Sequence, residues 1–376
     1  MMRFRSLAFS GLALLAAACA DSSLPTSPDD DVIAPQLSAV QAGDISGVEL
    51  TSPVFALATN PDGSLVAAET AVGVTELRMG AADLVASLPG VSGVAPVGRG
   101  NLFAVTGAAQ DPSSEPDEKK LFRVSRGSSR LIADLGAFEE TVNPDQVWNT
   151  GAPDSNPFNV AHLNGASVLV ADAAGNDILH VDGRGNVDWV AVLTPHLVPT
   201  ANFKSLLGCG GPASPPECAL PDEIPAQPVA TSVAVGPDGA YYAGELTGFP
   251  GEPGFSRIWR IEPGSMNVLC PSAACTMVAD GLTSIVDLAF GPDGTLYVVE
   301  LDAASWLAVE LAAGPGGLTP VAGGRIKACD VATGTCGTIL DGLSLPSAIT
   351  VGTDGVPYFV QNTAIPFGTA TISSIN

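Results

Sequence analysis

The stretch from Leu288 to Glu300, LAFGPDGTLYVVE, has the pattern of a tight β-hairpin. Apolar residues alternate on both sides of a Pro-Asp-Gly turn, and Asp-Gly in that setting is the strongest short hairpin signal. The unit recurs five more times, as ALATNPDGSLVAAE ending at Glu69, VAPVGRGNLFAVT at Thr106, VAHLNGASVLVAD at Asp172, VAVGPDGAYYAGE at Glu245 and ITVGTDGVPYFVQ at Gln361. Six copies of one hairpin indicate an array of equivalent small sheets.

Each hairpin is followed by a third apolar segment, such as LFRV near Phe122 or IWRI near Trp259, and in five copies by a fourth. Four antiparallel strands per repeat predict the blades of a β-propeller, because a sandwich has no reason to repeat its unit. The sixth copy ends at its third strand, TISSI, while residues 45–55 resemble residues 279–288. We therefore predict an all-β, six-bladed β-propeller over residues 36–376, in which residues 45–50 pair with residues 371–375 and complete the last blade.

The composition excludes some classes of partner. Of 376 residues, 15 are Lys or Arg and 39 are Asp or Glu, for a net charge of -24. Nucleic acid is an improbable partner for such a chain, because binding phosphates needs clustered cations. The same charge favours the attraction of cations.

The first residues have the pattern of an export signal. Arg3 and Arg5 precede an apolar run that ends in LAAAC at Cys19, as in a bacterial lipobox. We predict a signal peptide over residues 1–18, acylation of Cys19 and a flexible tether over residues 19–35. The expected location is outside the cytoplasm, in the periplasm or at the cell surface, with the acylated Cys19 as the contact with the lipid membrane. Plain secretion is the alternative.

Six further cysteines form three close pairs in sequence. They are Cys209 and Cys218, Cys270 and Cys275, and Cys329 and Cys336. Three local disulfides fit an exported protein. A zinc site is disfavoured because none of the pairs has the CxxC spacing typical of zinc ligands.

Three stretches resemble a known family. They are SNPFNVAHLNGASVLVADAAGNDILHVD from Ser155 to Asp182, TSVAVGPDGAYYAGELTGFPGEPGFSRIWRI from Thr231 to Ile261 and IVDLAFGPDGTLYVVE from Ile285 to Glu300. Their order and wording are similar to the ScyD/ScyE family, named for its occurrence in scytonemin biosynthesis clusters. The resemblance implies an extracytoplasmic six-bladed propeller related to NHL-type and strictosidine-synthase-like rings. It implies no settled reaction.

Six polar residues stand at equivalent strand ends, where we expect a ring near the mouth of the central channel. They are Glu69, Thr106, Asp172, Glu245, Glu300 and Gln361. Four like charges so close would repel one another unless a cation lay among them, so Glu69, Asp172, Glu245 and Glu300 are candidate ligands of a metal, Ca²⁺ by preference. The alternative is that each carboxylate only accepts local N–H groups where its strand ends.

A second ring is expected at the head of the innermost strands. It contains Asn159, Ser232 and Asp287, with Ala56 and Ala348 at matching positions. Propellers of the regucalcin and gluconolactonase type hold a catalytic metal on such strands, although their Pro-Asn-Gly motif does not occur here.

The longest insertions follow the second or fourth strands, which places them on one face. This long-loop face carries Trp148, Phe249, Phe255 and Trp306. These aromatic side chains could stack on a planar ligand or pin their own loops. We expect an accessory protein that binds a protein partner or a small metabolite there, with aromatic metabolites among the candidates. The alternative is a metal-dependent hydrolase, lactonase or lyase that acts in the channel, so the sequence leaves catalysis open.

Overall fold

The computed structural model describes residues 50–78, 80–98, 100–109, 116–212, 214–313, 321–363 and 370–375. The predicted signal peptide, Cys19, the tether and residues 45–49 of the predicted closing strand lie outside these ranges.

In the described part of the chain, six of the seven sheets form blades, whose antiparallel strands follow the sequence from the centre outwards, and the seventh is a separate pair of strands. Blade 1 contains β1 (Val54–Thr59), β2 (Leu65–Glu69), β3 (Gly73–Arg78) and β4 (Ala81–Ser87). Blade 2 contains β5 (Val91–Gly98), β6 (Asn101–Thr106), β7 (Lys120–Ser125) and β8 (Ser128–Asp134). Blade 3 contains β9 (Pro157–Asn164), β10 (Ser167–Asp172), β11 (Asp177–Val181) and β12 (Val187–Leu193).

The second half of the chain repeats this arrangement. Two strands that lie outside the repeated unit, β13 (His196–Pro199) and β14 (Glu223–Ala226), pair with each other. Blade 4 contains β15 (Ala230–Val235), β16 (Tyr241–Glu245) and β17 (Ser256–Ile261); after β18 (Val268–Cys270) its outermost strand is β19 (Cys275–Leu282). Blade 5 contains β20 (Ile285–Phe290), β21 (Leu296–Glu300), β22 (Gly324–Asp330) and β23 (Thr335–Leu343). Blade 6 contains β24 (Ala348–Val351), β25 (Pro357–Gln361) and β26 (Thr371–Ser374).

The blades close into a ring. Each innermost strand contacts the innermost strand of the next blade, and β24 of blade 6 returns to β1 of blade 1. Leu50, the first described residue, forms an antiparallel bridge with Ala370, next to β26. The predicted six-bladed propeller is therefore confirmed. Leu50, the last residue of the predicted closing strand, lies beside the chain that leads into β26.

Turn chemistry explains why the hairpins form where the sequence placed them. The glycines of the six hairpin turns all have a positive φ, between 55° and 88°, a conformation that costs other residues energy. They are Gly63, Gly100, Gly165, Gly239, Gly294 and Gly355. In the Asp-Gly turns the Asp side chain accepts the N–H two residues further on, as Asp238 does from Ala240 (3.1 Å) and Asp293 from Thr295 (3.0 Å). This Asx turn favours the chain reversal through contacts within the turn itself.

The core lies between neighbouring blades rather than at the centre of one sheet. Blades 2 and 3, for example, bury Phe103, Leu121, Val170 and Leu179 between them. Another cluster begins between blades 5 and 6, with Phe359 and Ile326, and continues to Trp306 on the long-loop face. Burial of these apolar side chains is the main force that holds adjacent blades together.

Insertions on the long-loop face have secondary structure of their own. The helices are α1 (Leu135–Val142), α2 (Ala201–Leu206) and α3 (Trp306–Ala313). Asp134 caps α1 by accepting the Ala137 N–H (2.9 Å). In the part of the chain that the structure describes, none of the helices has both the length and the apolar character needed to cross a bilayer.

The three predicted disulfides are present: Cys209–Cys218, Cys270–Cys275 and Cys329–Cys336. Cys329 and Cys336 face each other in the ladder between β22 and β23. Cys270 ends β18, which was not expected from the sequence and pairs in parallel with β12 of blade 3. Three disulfides indicate that the protein resides in an oxidising, extracytoplasmic compartment.

Candidate functional site

The six strand-end residues occupy equivalent positions, one strand away from the channel. Glu69, Thr106, Asp172, Glu245 and Glu300 each pair in register with the first residue of the innermost strand of their own blade. They belong to second strands, so the innermost strand stands between them and the channel axis. Their partners are consequently residues of their own blade and of the adjoining loops.

Glu245 has the most complete set of partners. Its carboxylate is fully buried and accepts hydrogen bonds from Arg257 Nε (2.5 Å) and Arg257 Nη2 (3.0 Å). Trp259 Nε1 (2.9 Å) and the Thr247 hydroxyl (3.3 Å) donate as well. Burial raises the pKa of the Glu245 carboxyl, and the hydrogen bonds from Arg257 oppose that rise. This carboxylate is a paired structural charge.

Glu69 and Glu300 also bind groups close to them. Glu69 accepts the Thr51 N–H (2.9 Å) and the Thr75 hydroxyl (2.5 Å). Glu300 Oε1 accepts the Thr283 N–H (2.7 Å) and lies 3.8 Å from Lys327 Nζ, and burial raises the pKa of this carboxyl. Both carboxylates therefore accept a backbone N–H from the segment that precedes the innermost strand of their own blade.

Thr106 and Gln361 complete the set of strand ends in blades 2 and 6. The Thr106 hydroxyl donates to the Asp117 carbonyl (2.5 Å) and accepts the Lys120 N–H (3.1 Å). Gln361 Nε2 donates to the Ser373 hydroxyl at 3.5 Å. These contacts are again local to one blade.

Asp172 differs from the other strand ends because it lies near further acids. Its oxygens accept the Ser155 hydroxyl (2.5 Å) and the N–H groups of Asn156 (2.6 Å) and Gly175 (3.0 Å). Within the described ranges, no three or more His, Cys, Asp or Glu side chains come together in an arrangement that could hold a metal ion. Glu69, Asp172, Glu245 and Glu300 are thus not gathered around one position, and a calcium ion shared by these four stays a prediction.

The inner ring is defined by the strand register. In five blades the ladder between the first two strands is shifted at the same place, and the residue after the shift is the predicted ring position. The members are Ala56, Gly93, Asn159, Ser232, Asp287 and Ala348. Gly93 escaped the sequence reading because it offers no side chain to recognise.

Asp287 is the member of this ring whose hydrogen bonds join three blades. Its Oδ1 accepts Asn159 Nδ2 from blade 3 (3.1 Å) and the Leu288 N–H (2.9 Å), while Oδ2 accepts the Ile349 N–H from blade 6 (2.9 Å). Burial raises the pKa of Asp287 to about 7. Ser232 lies on blade 4, between blades 3 and 5, and its buried hydroxyl has no hydrogen-bond partner among the described residues. The structure thus brings Asn159 and Asp287 together and leaves Ser232 outside the network.

The residue just before each ring position alternates around the propeller. In blades 2, 4 and 6 it carries a hydroxyl that donates to the first carbonyl of the next blade: Ser92 to Pro157 (2.7 Å), Thr231 to Ile285 (2.7 Å) and Ser347 to Val54 (2.6 Å). In blades 1, 3 and 5 the same position holds Phe55, Phe158 and Val286. The Phe55 and Phe158 rings lie 5.8 Å apart, so apolar side chains occupy this level of the channel.

The aromatic residues of the long-loop face contact their own loops. Trp306 is buried and donates from Nε1 to the Thr247 carbonyl (3.0 Å). Phe249 packs edge-on against Phe203 of α2, with 4.8 Å between ring centroids, and Phe255 stacks on His196 at 6.3 Å. Of the two roles considered for these side chains, pinning the loops is the one that these contacts serve.

A group of buried acids on the long-loop face was missed by the sequence reading. Glu139 of α1, Asp145 in the turn after it and Asp177 at the start of β11 are each at most 1% exposed. They lie beside Asp172, between blades 2 and 3. The signal that could have revealed them is the dense acidic pattern of the insertion, FEETVNPD, which precedes the Asp172–Asp177 hairpin.

No protein-family model matches the chain, and no curated protein matches it. Solved structures do. A calcium-binding regucalcin from Agrobacterium tumefaciens is 10% identical over 90% of this chain and 93% of its own, with a TM-score of 0.54. A gluconolactonase from Xanthomonas campestris is 12% identical over 93% and 98%, with a TM-score of 0.52. A protein named as a glucose dehydrogenase, from Thermus thermophilus, is 15% identical over 88% and 98%, with a TM-score of 0.52.

The chain has the fold of the six-bladed propeller proteins. The structures that share it differ in chemistry, because they include a lactonase, a calcium-binding protein and a dehydrogenase by name. A fold used for such different purposes does not define an activity, and at these identities the likeness concerns the fold alone. The function of this chain has to be argued from its own residues.

Proposed function

We propose that the chain is an extracytoplasmic, lipid-anchored accessory propeller of the ScyD/ScyE type, which binds a small molecule or a protein partner on its long-loop face. The observation that carries the proposal is the state of the inner ring. Its single carboxylate, Asp287, has both oxygens engaged by N–H groups of its own chain. A carboxylate that positions three blades in this way has a structural role in the ring first, and a role towards a substrate comes second.

The composition of the inner ring supports the same reading. Three of its six members, Ala56, Gly93 and Ala348, have no polar side-chain atom. A hard metal ion in a catalytic site needs several oxygen ligands that converge from the surrounding strands. Asn159 and Asp287 satisfy each other instead, and Phe55 and Phe158 occupy the adjacent level.

The longest insertions between the strands lie on the long-loop face. The insertions there expose Val147 and Leu197, which are 60% and 61% accessible, and also Val142 and Val321. Apolar side chains on loops that are held by helices and disulfides are a common basis for binding. Cys209–Cys218 stabilises one of these insertions.

Binding can be tested with a panel of indole and phenol derivatives, measured by the shift in melting temperature and by calorimetry. Leu197→Asp is expected to abolish binding of any compound that the unmutated protein holds. Met277→Asp is the matched control, because Met277 is also exposed (46%) and lies on the outer edge of blade 4. Equal effects of both substitutions would contradict a site on the long-loop face.

The anchor is tested separately. Metabolic labelling with radioactive palmitate should mark the full-length chain and should fail after Cys19→Ser. A chain that is unlabelled and is found in the culture medium would support secretion without an anchor.

A channel enzyme is the second candidate, and one observation favours it. Asp287, at the ring position next to that of Ser232, is buried and has a pKa raised to about 7, a value suited to proton transfer at neutral pH. If the channel is catalytic, hydrolysis of simple lactones in the presence of divalent cations should be measurable and should fall by more than about tenfold in Asp287→Asn. Turnover that depends on Asp287 would overturn the accessory proposal.

A further inference from the structure

Four carboxyl groups meet between blades 2 and 3. Glu139 and Asp145 come from the insertion that follows β8, whereas Asp172 and Asp177 flank the turn between β10 and β11. A Cβ atom built on Gly175, within that turn, would lie 3.3 Å from Asp172 Cγ and 3.4 Å from Asp177 Oδ1. The two aspartates therefore face the same small space, and all four residues are at most 1% exposed.

The hydrogen bonds of this group are uneven. Asp172 has three donors, as described above, and Asp145 Oδ2 accepts Asn149 Nδ2 (2.9 Å) and Asn176 Nδ2 (3.0 Å). With its amide nitrogen turned towards the acids, Asn143 donates to Asp145 Oδ1 (2.9 Å) and Glu139 Oε1 (3.2 Å). Among the residues that the structure describes, Glu139 Oε2 has no hydrogen-bond partner, and neither oxygen of Asp177 has one.

Nothing positive offsets these charges in the described part of the chain. Lys119 and Asp154 form an ion pair (3.3 Å) in which the carboxylate is partly exposed. None of the four buried carboxylates takes part in it. Burial and the neighbouring acids raise the pKa of Glu139 to about 9, and the same causes raise the pKa of Asp177 well above its usual value. An unpaired buried carboxylate is costly, so a group of this kind holds either protons or a cation.

We propose that this group is a binding site for one hard divalent cation, Ca²⁺ by first choice, with the carboxylates of Glu139 and Asp177 as its ligands. Carboxylate oxygens in an extracytoplasmic protein suit calcium best among the common ions. Asp145 and Asp172 keep their amide and hydroxyl donors and supply negative potential. Main-chain oxygens or water complete the coordination, since the described residues contain no ready group of three ligands.

Such an ion would connect two blades. Glu139 belongs to the helix that follows blade 2, and Asp177 begins the third strand of blade 3. The ion would bind only where both are in place, so it would stabilise the folded ring by mass action. It would also order the insertion that contributes to the long-loop face.

The test uses the full mature chain after treatment with chelator. Equilibrium dialysis against ⁴⁵Ca²⁺ should give one ion per chain, and addition of calcium should raise the melting temperature by about 5 °C over the chelated sample. Asp177→Asn and Glu139→Gln should each remove the bound calcium and the rise in melting temperature. Both variants should melt at or above the temperature of the chelated parent, because each loses an unpaired buried charge.

The matched control is Asp302→Asn. Asp302 is equally buried on the long-loop face, but its oxygens accept the N–H groups of Ala304, Ala322 and Gly323. This change should lower the melting temperature and leave the calcium stoichiometry at one. Identical melting curves in chelator and in calcium, or calcium that remains bound in both Asp177→Asn and Glu139→Gln, would overturn the proposal. The second result would place the ion elsewhere, including at the ring of strand ends.

Discussion

Asp172 and Glu245 hold the same place in two successive blades, yet their surroundings are opposite. Glu245 lies against the guanidinium of Arg257, with Trp259 as a further donor. Asp172 has only neutral donors and stands beside three more buried acids. One fold position therefore carries a neutralised charge in blade 4 and an excess of negative charge in blade 3.

The comparison separates the structural role of the strand-end carboxylate from the charge that its neighbouring residues add. In both blades the carboxylate accepts donors near the end of its strand, which is a structural task. In blade 4 the third strand supplies the cation at Arg257, whereas in blade 3 the third strand begins with another acid, Asp177. A repeated fold thus keeps the cap and varies the charge around it.

The largest effect is expected when the pair in blade 4 is broken. Arg257→Met leaves Glu245 buried without its countercharge and should cost about 3–5 kcal/mol of unfolding free energy, measured by urea denaturation. Arg260→Met on the same strand is the control, because its partner Asp238 is 39% exposed. Glu245→Gln in the Arg257→Met background should recover most of the loss. A loss no larger than that of the control would show that Glu245 is not held as a charge.

The acids of blades 2 and 3 should reveal themselves through pH. A carboxyl whose pKa is raised in the folded state binds more protons folded than unfolded, so stability is greatest below the unfolded pKa and is lost as pH rises towards the folded value. Glu139, with a pKa raised to about 9, should therefore cost up to about 2.7 kcal/mol between pH 6.5 and 8.5 in the presence of chelator.

The difference between the parent and Glu139→Gln measures the titration of Glu139 together with its effect on the pKa of Asp177, whereas Asp287, with a pKa raised to about 7, contributes equally to both proteins. Urea denaturation at pH 6.5, 7.5 and 8.5 measures it. Parallel pH dependences in the two proteins would mean that Glu139 is ionised without penalty, and the contrast with Glu245 would disappear.

Asp287 is intermediate, since neutral N–H groups engage both of its oxygens. Asp287→Asn replaces one acceptor oxygen by an NH₂ group, which cannot accept the hydrogen bond made there, and should cost about 1–2 kcal/mol at pH 8. The cost should be larger at pH 6, because the parent, whose Asp287 pKa is raised to about 7 by folding, gains stability as the pH falls, whereas the variant has no group there to titrate. Denaturation at the two pH values measures it, and a cost that does not change with pH would contradict the role of a titrating group.

The smallest effect is expected for an ion pair at the surface. Arg78 Nη2 lies 2.6 Å from Asp62 Oδ2, but the two side chains are 43% and 54% exposed. Water screens the pair, so Asp62→Asn should change the unfolding free energy by less than about 1 kcal/mol. A loss comparable to that of Arg257→Met would mean that burial does not decide the strength of these pairs.

The hairpins, the six blades and the disulfides could be predicted because their signals are local. Asp-Gly turns and alternating apolar residues fix each hairpin within a dozen residues. β18 could not be predicted, since Val268–Cys270 is too short to show alternation and its partner β12 belongs to another blade. Its pairing depends on the fold around it.

The sites were harder to predict for a geometric reason. Equivalent strand ends indicated a ring, but the strand register that keeps Glu69 and Glu300 one strand away from the channel is a property of the closed propeller. The inner ring was recognised at Asn159, Ser232 and Asp287 because those residues are polar. Glu139 and Asp177 are far apart in sequence, and only the folded placement of the insertion after β8 beside blade 3 brings their charges together.

The alternation of Ser92, Thr231 and Ser347 with Phe55, Phe158 and Val286 has a consequence for the architecture of the ring. The hydroxyl bridges join blade 2 to blade 3, blade 4 to blade 5 and blade 6 to blade 1. Every second seam carries one of these hydroxyl bridges, and the other seams have residues without a hydroxyl at the same position, although blades 5 and 6 are joined elsewhere by the hydrogen bond from the Ile349 N–H to Asp287. At this position the propeller therefore repeats every two blades, so that the ring consists of three pairs of blades. A redesigned ring that keeps this pattern can gain or lose blades only two at a time.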